Sequence, residues 1–231
     1  MTTFKRKHSI QDLLVIWSKE LIFAAALLLV IAGAYFGYRW HTNNKNQAAH
    51  MLFAQNLEEL ERISQEGNKE DWESVETLFK LGYDQYPKSS LAPYFLIYQG
   101  QALLKQGKLD EARDIINLAV EKLPSDCPVL GLYKVKVALM GLDSKAQSTV
   151  DASLEQLQAL AKNTELHVQD VAGYHLGLYY WVHNQMAKAQ EVWLAMIEAV
   201  KTTEKTGQSP WAAKAQEMLA SSFPETQQET A

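Results

Sequence analysis

The sequence predicts an all-α protein: a single apolar N-terminal helix followed by helices arranged in pairs. Apolar residues recur at intervals of three and four positions, as they do between Leu52 and Ile63. No stretch alternates with the period of two that a half-buried strand requires. The 231 residues include only 11 Gly and 6 Pro, which is sparse for a fold rich in tight strand turns.

The N-terminal helix is predicted from an uncharged run of eighteen residues, Leu21 to Tyr38. As a helix this run would extend about 27 Å, close to the ~30 Å hydrocarbon core of a bilayer. Tyr35 and Trp40 lie near its end, where aromatic side chains favour the membrane interface. We therefore predict a transmembrane helix over residues 21–40, with residues 1–20 forming a separate N-terminal segment.

A cleaved signal peptide is the alternative, because Ala32-Gly33-Ala34 resembles a cleavage site. The apolar run continues past that site and the following flank is aromatic and basic, so a retained anchor is favoured. Gly33 and Gly37 also form a GxxxG pair, which would let a second membrane helix approach closely. Glycine is common in membrane helices, so the pair can equally be incidental.

Basic residues predict the orientation of this helix. Four precede the apolar run and two follow it: Lys5, Arg6, Lys7 and Lys19, then Arg39 and Lys45. By the positive-inside rule the N-terminus is cytoplasmic and the remainder lies outside the cytoplasm. In a bacterium this is a single-pass inner-membrane protein with a periplasmic domain.

An internal repeat defines the architecture of residues 41–220. Counting Pro93 as one, small residues fall at eight, twenty and twenty-seven, and a proline falls at thirty-two: Gly100, Ala112, Ala119 and Pro124. Two antiparallel helices that cross closely need small residues at those positions, and the proline ends the second helix. A second copy starts at Asp170, with Gly177 at eight and Ala189 at twenty, although Met196 occupies twenty-seven. The pattern predicts a tetratricopeptide-like α-solenoid.

Spacing predicts the remaining helices of the domain. The two copies start 77 residues apart, which leaves room for one degenerate pair between them, at 128–140 and 149–162, with a turn at 141–144. A terminal pair is expected at about 46–65 and 72–85. Ser209 and Pro210 open a capping helix, as N-cap and first-turn residue. About four helix pairs and a cap result, followed by a disordered tail at 221–231.

Composition and motifs exclude several function classes. The net charge is −5 although the N-terminus is basic, so the predicted domain is acidic and would repel a nucleic acid backbone. We find no nucleotide-binding, metalloprotease, CxxC or nucleophile-elbow motif, which predicts no enzymatic activity, no cofactor and no metal site. His167, His175 and His183 do not stack on one helix face at their eight-residue spacing. The single cysteine, Cys127, has no basic neighbour to activate it and is interpreted as structural.

A partner groove is the function that this architecture offers. In each clear repeat, the inward positions of the first helix are candidates for binding a peptide or a partner helix. The alternative is that they pack against the next repeat or a covering helix. The candidates are Tyr94, Ile97, Gln101 and Lys105 in one copy and Val171, Tyr174, Leu178 and Trp181 in the other.

The layout as a whole resembles the ancillary SecYEG translocon subunit family of bacterial inner-membrane tetratricopeptide proteins. The likeness covers nearly the full length: a basic N-terminus, one anchor, the exit Tyr38-Arg39-Trp40, a helix rich in Ala, Gln and Asn, and degenerate repeats. The segments QALLKQGKLDEA and GYHLGLYYWVHNQMAKAQEVW look like its repeat cores. The resemblance implies a periplasmic domain beside the protein-export channel that hands emerging chains to periplasmic chaperones. It assigns no site residue.

Two other functions fit the same sequence. One is a scaffold for envelope assembly or cell division that binds other envelope proteins. The other is an anchored receptor whose repeats face the cytosol, which the charge bias at the apolar run disfavours. The partner and the oligomeric state are not predicted.

Overall fold

The computed structural model describes residues 10–66, 69–163, 168–202 and 209–222. Over these ranges it is helical, with no strand. The helices, in chain order, are α1 (Ile10–Glu66), α2 (Lys69–Gln85), α3 (Ala92–Lys105), α4 (Leu109–Lys122), α5 (Leu130–Leu142), α6 (Gln147–Lys162), α7 (Gln169–Val182), α8 (Met186–Thr202) and α9 (Pro210–Ser222). The all-α prediction is confirmed.

The chain divides into two compact units, Met1–Met51 and Leu52–Ala231. In the first, α1 exposes apolar side chains around its whole circumference, including Phe23 at 77% and Leu29 at 74%. In the part of the chain whose side chains the structure describes, no helix is both long enough and apolar enough to cross a membrane. The predicted anchor at 21–40 lies in α1, and its residues 21, 22, 24 and 25 fall outside the described side chains.

In the second unit each helix packs against the next one along the chain. The connections between α3 and α4 and between α7 and α8 span three residues each, so these neighbours run antiparallel. Alternate helices also touch, since α5 contacts α7 and α7 contacts α9. At the N-terminal end Phe53 of α1 packs edge-on against Phe95 of α3, with ring centroids 5.1 Å apart.

Glycines create the closest helix contacts. A Cβ on Gly100 would lie 3.0 Å from Cδ1 of Ile116, and one on Gly177 would lie 2.6 Å from Cε2 of Trp193. Both partner side chains are fully buried. The predicted small positions therefore mark real crossings, between α3 and α4 and between α7 and α8.

Two of the paired helices end in the same motif. After α3, Gly107 adopts φ +80°, and the N–H groups of Gly107 and Lys108 donate to the carbonyls of Leu104 and Leu103. After α7, Asn184 adopts φ 57° at the equivalent place, with the same pair of hydrogen bonds. Glycine and asparagine tolerate this left-handed conformation best, so both sequences terminate their helices alike.

The predicted middle pair needs a correction. The sequence predicts a helix over 128–140 and a turn at 141–144, but α5 runs from Leu130 to Leu142. Gly141 is helical because it packs against Ser153 of α6, whose Cβ would lie 2.9 Å from a Cβ on Gly141. Here glycine provides a close crossing between helices and does not break the helix.

The predictions at the two ends of the domain have different outcomes. The helix expected from about residue 46 is the C-terminal part of α1, which continues unbroken from Ile10 to Glu66. Ser209 caps α9 as predicted, its Oγ accepting from the N–H groups of Trp211 and Ala212 at 3.2 and 3.4 Å. Residues 221–222 of the predicted tail are helical, and residues 223–231 lie outside the described residues.

Candidate functional site

Two of the predicted groove residues, Gln101 and Lys105, line an open cleft of about 480 Å³ at the N-terminal end of the second unit. We call it the N-terminal cleft. Its walls come from the end of α1, the start of α2 and the end of α3. The lining residues are Leu57, Leu60, Glu61, Ser64, Trp72, Gln101 and Lys105.

Trp72 forms the aromatic wall of the N-terminal cleft. Its backbone carbonyl accepts a hydrogen bond at 3.2 Å from Nε2 of Gln106, a buried residue that ends α3. This bond ties the start of α2 to the end of α3. Oε1 of Gln106 is buried and finds no hydrogen-bond partner among the described residues. The hydrogen bond from Gln106 thus fixes the backbone that carries the Trp72 side chain.

Lys105 gives the N-terminal cleft a positive charge beside that wall. Its Nζ lies 5.6 Å from the ring centroid of Trp72, within cation–π range. Lys105 is the last residue of α3, where a cation also complements the helix dipole. Glu61 supplies a carboxylate on the α1 side. An apolar floor between groups of opposite charge suits a peptide that inserts one apolar side chain and keeps its polar groups at the rim.

The other two residues predicted for the first groove segment, Tyr94 and Ile97, are not among the lining residues of the N-terminal cleft. Ile97 is 1% exposed and belongs to a core cluster with Leu96, Ala119, Leu123 and Leu130, so it cannot meet a partner. Tyr94 is half-buried, with its hydroxyl 3.8 Å from Sγ of Cys127. The hydrogen bond with Cys127 is the main cause that raises the pKa of Tyr94, and burial raises it further. Gln101 and Lys105 are thus the two of these four that line the cleft.

The second groove segment is covered by α9 at Tyr174, whose ring packs 5.4 Å from that of Trp211. Val171 is buried in the core cluster of the C-terminal helices. Leu178 and Trp181 are half-buried against that same cluster. Here the alternative of a covering helix describes the structure, because α9 occupies the surface next to α7.

Polar contacts hold α9 in this position. Ser209 Oγ donates a short hydrogen bond to Oδ2 of Asp170, at the start of α7. The ring centroid of His175 lies 5.3 Å from that of Trp211, with the rings tilted, and Nζ of Lys214 lies 4.5 Å from the centroid of the Trp211 ring. Burial lowers the pKa of His175, and the nearby Lys214 lowers it further. The imidazole is therefore held in its neutral form between α7 and α9.

We expect acid to weaken this contact. A histidine whose folded pKa lies below its ordinary 6.5 binds protons more readily when unfolded. Stability from His175 is therefore complete above about pH 6.5 and is lost as the pH falls from there through the folded pKa. Chemical denaturation of the full chain at pH 7.5 and 5.5 should give a lower midpoint at pH 5.5, and His175→Gln should reduce that difference. An equal pH effect in both proteins would contradict this role.

The remaining candidates are the two glycines of the first unit and the histidines. A Cβ on Gly33 or on Gly37 would find no atom within 4 Å, so both positions on α1 are open. Within the described ranges no group of three or more His, Cys, Asp or Glu side chains is placed to hold a metal ion. His183 is exposed on its turn, with Nδ1 2.8 Å from the carbonyl of Tyr179, and His167 lies outside the described residues.

Sequence reasoning missed the hydrophobic half of the N-terminal cleft. Leu57, Leu60 and Trp72 come from the helices α1 and α2, whose sequence fits the predicted repeat poorly at its small positions. The spacing of three between Leu57 and Leu60 marks a buried helix face but not a cleft.

Comparison with protein-family models, with curated proteins and with solved structures finds no match to this chain.

Proposed function

We propose that this chain is a membrane-anchored tetratricopeptide-type scaffold that binds a segment of a partner protein in the N-terminal cleft. The observation that carries the proposal is the pairing of Trp72 and Lys105 around an open apolar floor. Tryptophan is among the residues that most often dominate binding energy in a concave site, and Lys105 adds a charge beside it.

Three features support the tetratricopeptide assignment. Helices pair through glycine crossings at Gly100 and Gly177, and alternate helices touch along the second unit. The α3–α4 and α7–α8 pairs match the repeat pattern at fixed positions. The last helix, α9, covers the end of the core, as a terminal cap does in repeat proteins.

The anchor is proposed at residues 21–40. Its support is the uncharged run from Leu21 to Tyr38 and the apolar side chains that α1 exposes on all sides. A helix that exposes apolar side chains on all sides is unfavourable in water and is stable when a lipid bilayer or another protein covers it. The excess of basic residues before the run supports a cytoplasmic N-terminus and a periplasmic second unit.

The resemblance in layout supports a location beside the protein-export channel. In that setting the bound segments would come from channel subunits, periplasmic chaperones or emerging chains. Scaffolds for envelope assembly share the same build, so the partner must be identified by experiment.

Site-specific photo-crosslinking in the full chain tests the N-terminal cleft. A benzoyl-phenylalanine in place of Gln101 should crosslink a partner, whereas the same residue in place of the exposed Gln147 should not. Trp72→Ala or Lys105→Glu should lower the yield at least about fivefold, since truncating a dominant contact costs more than about 1 kcal/mol. Lys145→Glu, an equal charge change at an exposed position between α5 and α6, is the control. Equal crosslinking from Gln101 and Gln147 would contradict the proposal.

A further inference from the structure

A second cavity, of about 370 Å³, opens between α6 and α8 with α7 as its floor. We call it the C-terminal pocket. It shares no residue with the N-terminal cleft and lies outside the eight predicted groove positions. Its apolar lining includes Leu176, Val192 and Met196. Gly173 also lines it, and the side chain of Met196 packs on this glycine, 3.1 to 3.3 Å from where a Cβ would stand.

Tyr180 brings a polar group to this apolar lining. Tyr180 is 7% exposed and lines the C-terminal pocket. Its oxygen accepts a hydrogen bond from Nε2 of Gln158 at 2.8 Å. The acceptor role is therefore filled, while the hydroxyl proton has no acceptor among the described residues. A ligand oxygen in the pocket would supply one.

Positive charge surrounds the mouth of the C-terminal pocket. Lys162 comes from the end of α6 and Lys188 from the first turns of α8. Nζ of Lys188 lies 5.4 Å from the ring centroid of Tyr180 and donates to Oε1 of Gln185 at 2.9 Å, which leaves two of its protons available. Glu191 is the one acidic side chain among the described lining residues. The charged side chains of the described lining therefore sum to about +1 beside an unmatched hydroxyl donor.

From this geometry we propose that the C-terminal pocket binds a small amphipathic carboxylate of the medium-chain fatty acid class. The carboxylate accepts from the Tyr180 hydroxyl and is paired with the ammonium of Lys188. The alkyl chain lies on Leu176, Val192 and Met196. A neutral alcohol would keep the apolar contact and the hydroxyl bond but lose the charge pairing, and an ammonium would meet the lysines as a like charge.

Titration of the full chain in detergent micelles with octanoate tests the proposal. Carbon-13 at the carboxyl reports binding through its chemical shift, and octanol and octylammonium are the analogues of equal chain length. We expect octanol to bind about tenfold more weakly than octanoate and octylammonium not to bind. Tyr180→Phe and Lys188→Gln should each weaken octanoate binding about tenfold to a hundredfold, the loss expected for one charge-assisted hydrogen bond.

A variant that fills the C-terminal pocket distinguishes a loss of octanoate binding from a loss of folding. Ala195 lies on the exposed rim of the C-terminal pocket, so Ala195→Phe should block octanoate while helix content stays unchanged. Leu194→Phe, at the next position and outside the lining, should bind as the unmodified chain does. Equal binding of octanoate and octanol, or binding that survives both Tyr180→Phe and Ala195→Phe, would mean partition into micelles only and would overturn the proposal. The crosslinking experiment at the N-terminal cleft tests the proposed scaffold function separately, because its result does not depend on octanoate binding.

Discussion

Gly177→Ala should lower the free energy of unfolding by about 2 kcal/mol, although alanine is the better helix former by about 1 kcal/mol. The added Cβ would lie 2.5 Å from Cδ1 and 2.6 Å from Cε2 of Trp193. That indole is fully buried, and its Nε1 donates to the carbonyl of Tyr174 at 3.1 Å. A rigid ring with a fixed hydrogen bond cannot yield to the methyl group, so α7 and α8 must separate.

Thermal unfolding of the full chain in detergent, followed by near-ultraviolet circular dichroism of the tryptophans, measures this effect. A loss of about 2 kcal/mol corresponds to a fall in Tm of roughly 4–8 °C for a domain of this size. Gly173→Ala is the matched control, one turn earlier on the same helix. Its Cβ meets only the flexible side chain of Met196, at 3.1 Å or more, so we expect less than about 0.5 kcal/mol of change. Similar Tm values for the two variants would show that the α7–α8 crossing is not tight at Gly177.

The close contact at Gly177 illustrates why the positions of helix crossings can be predicted from sequence periodicity. A glycine at eight and a small residue twelve positions later recur in Gly100 with Ala112 and in Gly177 with Ala189. Gly141 with Ser153 has the same spacing and the same close crossing. The middle pair was nevertheless predicted with its turn at Gly141, because a glycine after an apolar run reads equally well as a helix end. Only the position of Ser153 on the facing helix decides between the two.

The candidate sites were less predictable than the helices. Gln101 and Lys105 follow from helix periodicity, but Trp72 reaches the same cleft because α2 packs against α3, where the Trp72 carbonyl accepts from Gln106, 34 positions later. Tyr174 has the periodicity of a groove residue and is covered by Trp211, which belongs to a helix 37 positions later. Periodicity identifies the face of a helix that is apolar. It does not identify which neighbouring element covers that face.

A second large effect is expected when charge is placed in the apolar part of α1. Leu28 and Val30 are 66% and 68% exposed in the first unit and point to opposite sides of the helix. At the centre of a transmembrane helix an arginine costs about 2.5–3.5 kcal/mol, whereas leucine and valine favour insertion. The double substitution Leu28→Arg with Val30→Arg should therefore remove about 6 kcal/mol of insertion free energy.

Fractionation of cells after an alkaline carbonate wash measures the result. The unmodified chain should remain in the membrane pellet, and the double variant should move largely to the supernatant or be degraded. Leu132→Arg with Leu194→Arg is the control, because both leucines are about half exposed on helices of the second unit. That control should stay in the pellet, since charge on a water-facing surface costs little. A double variant of α1 that stays in the pellet would contradict an anchor centred on Leu28 and Val30.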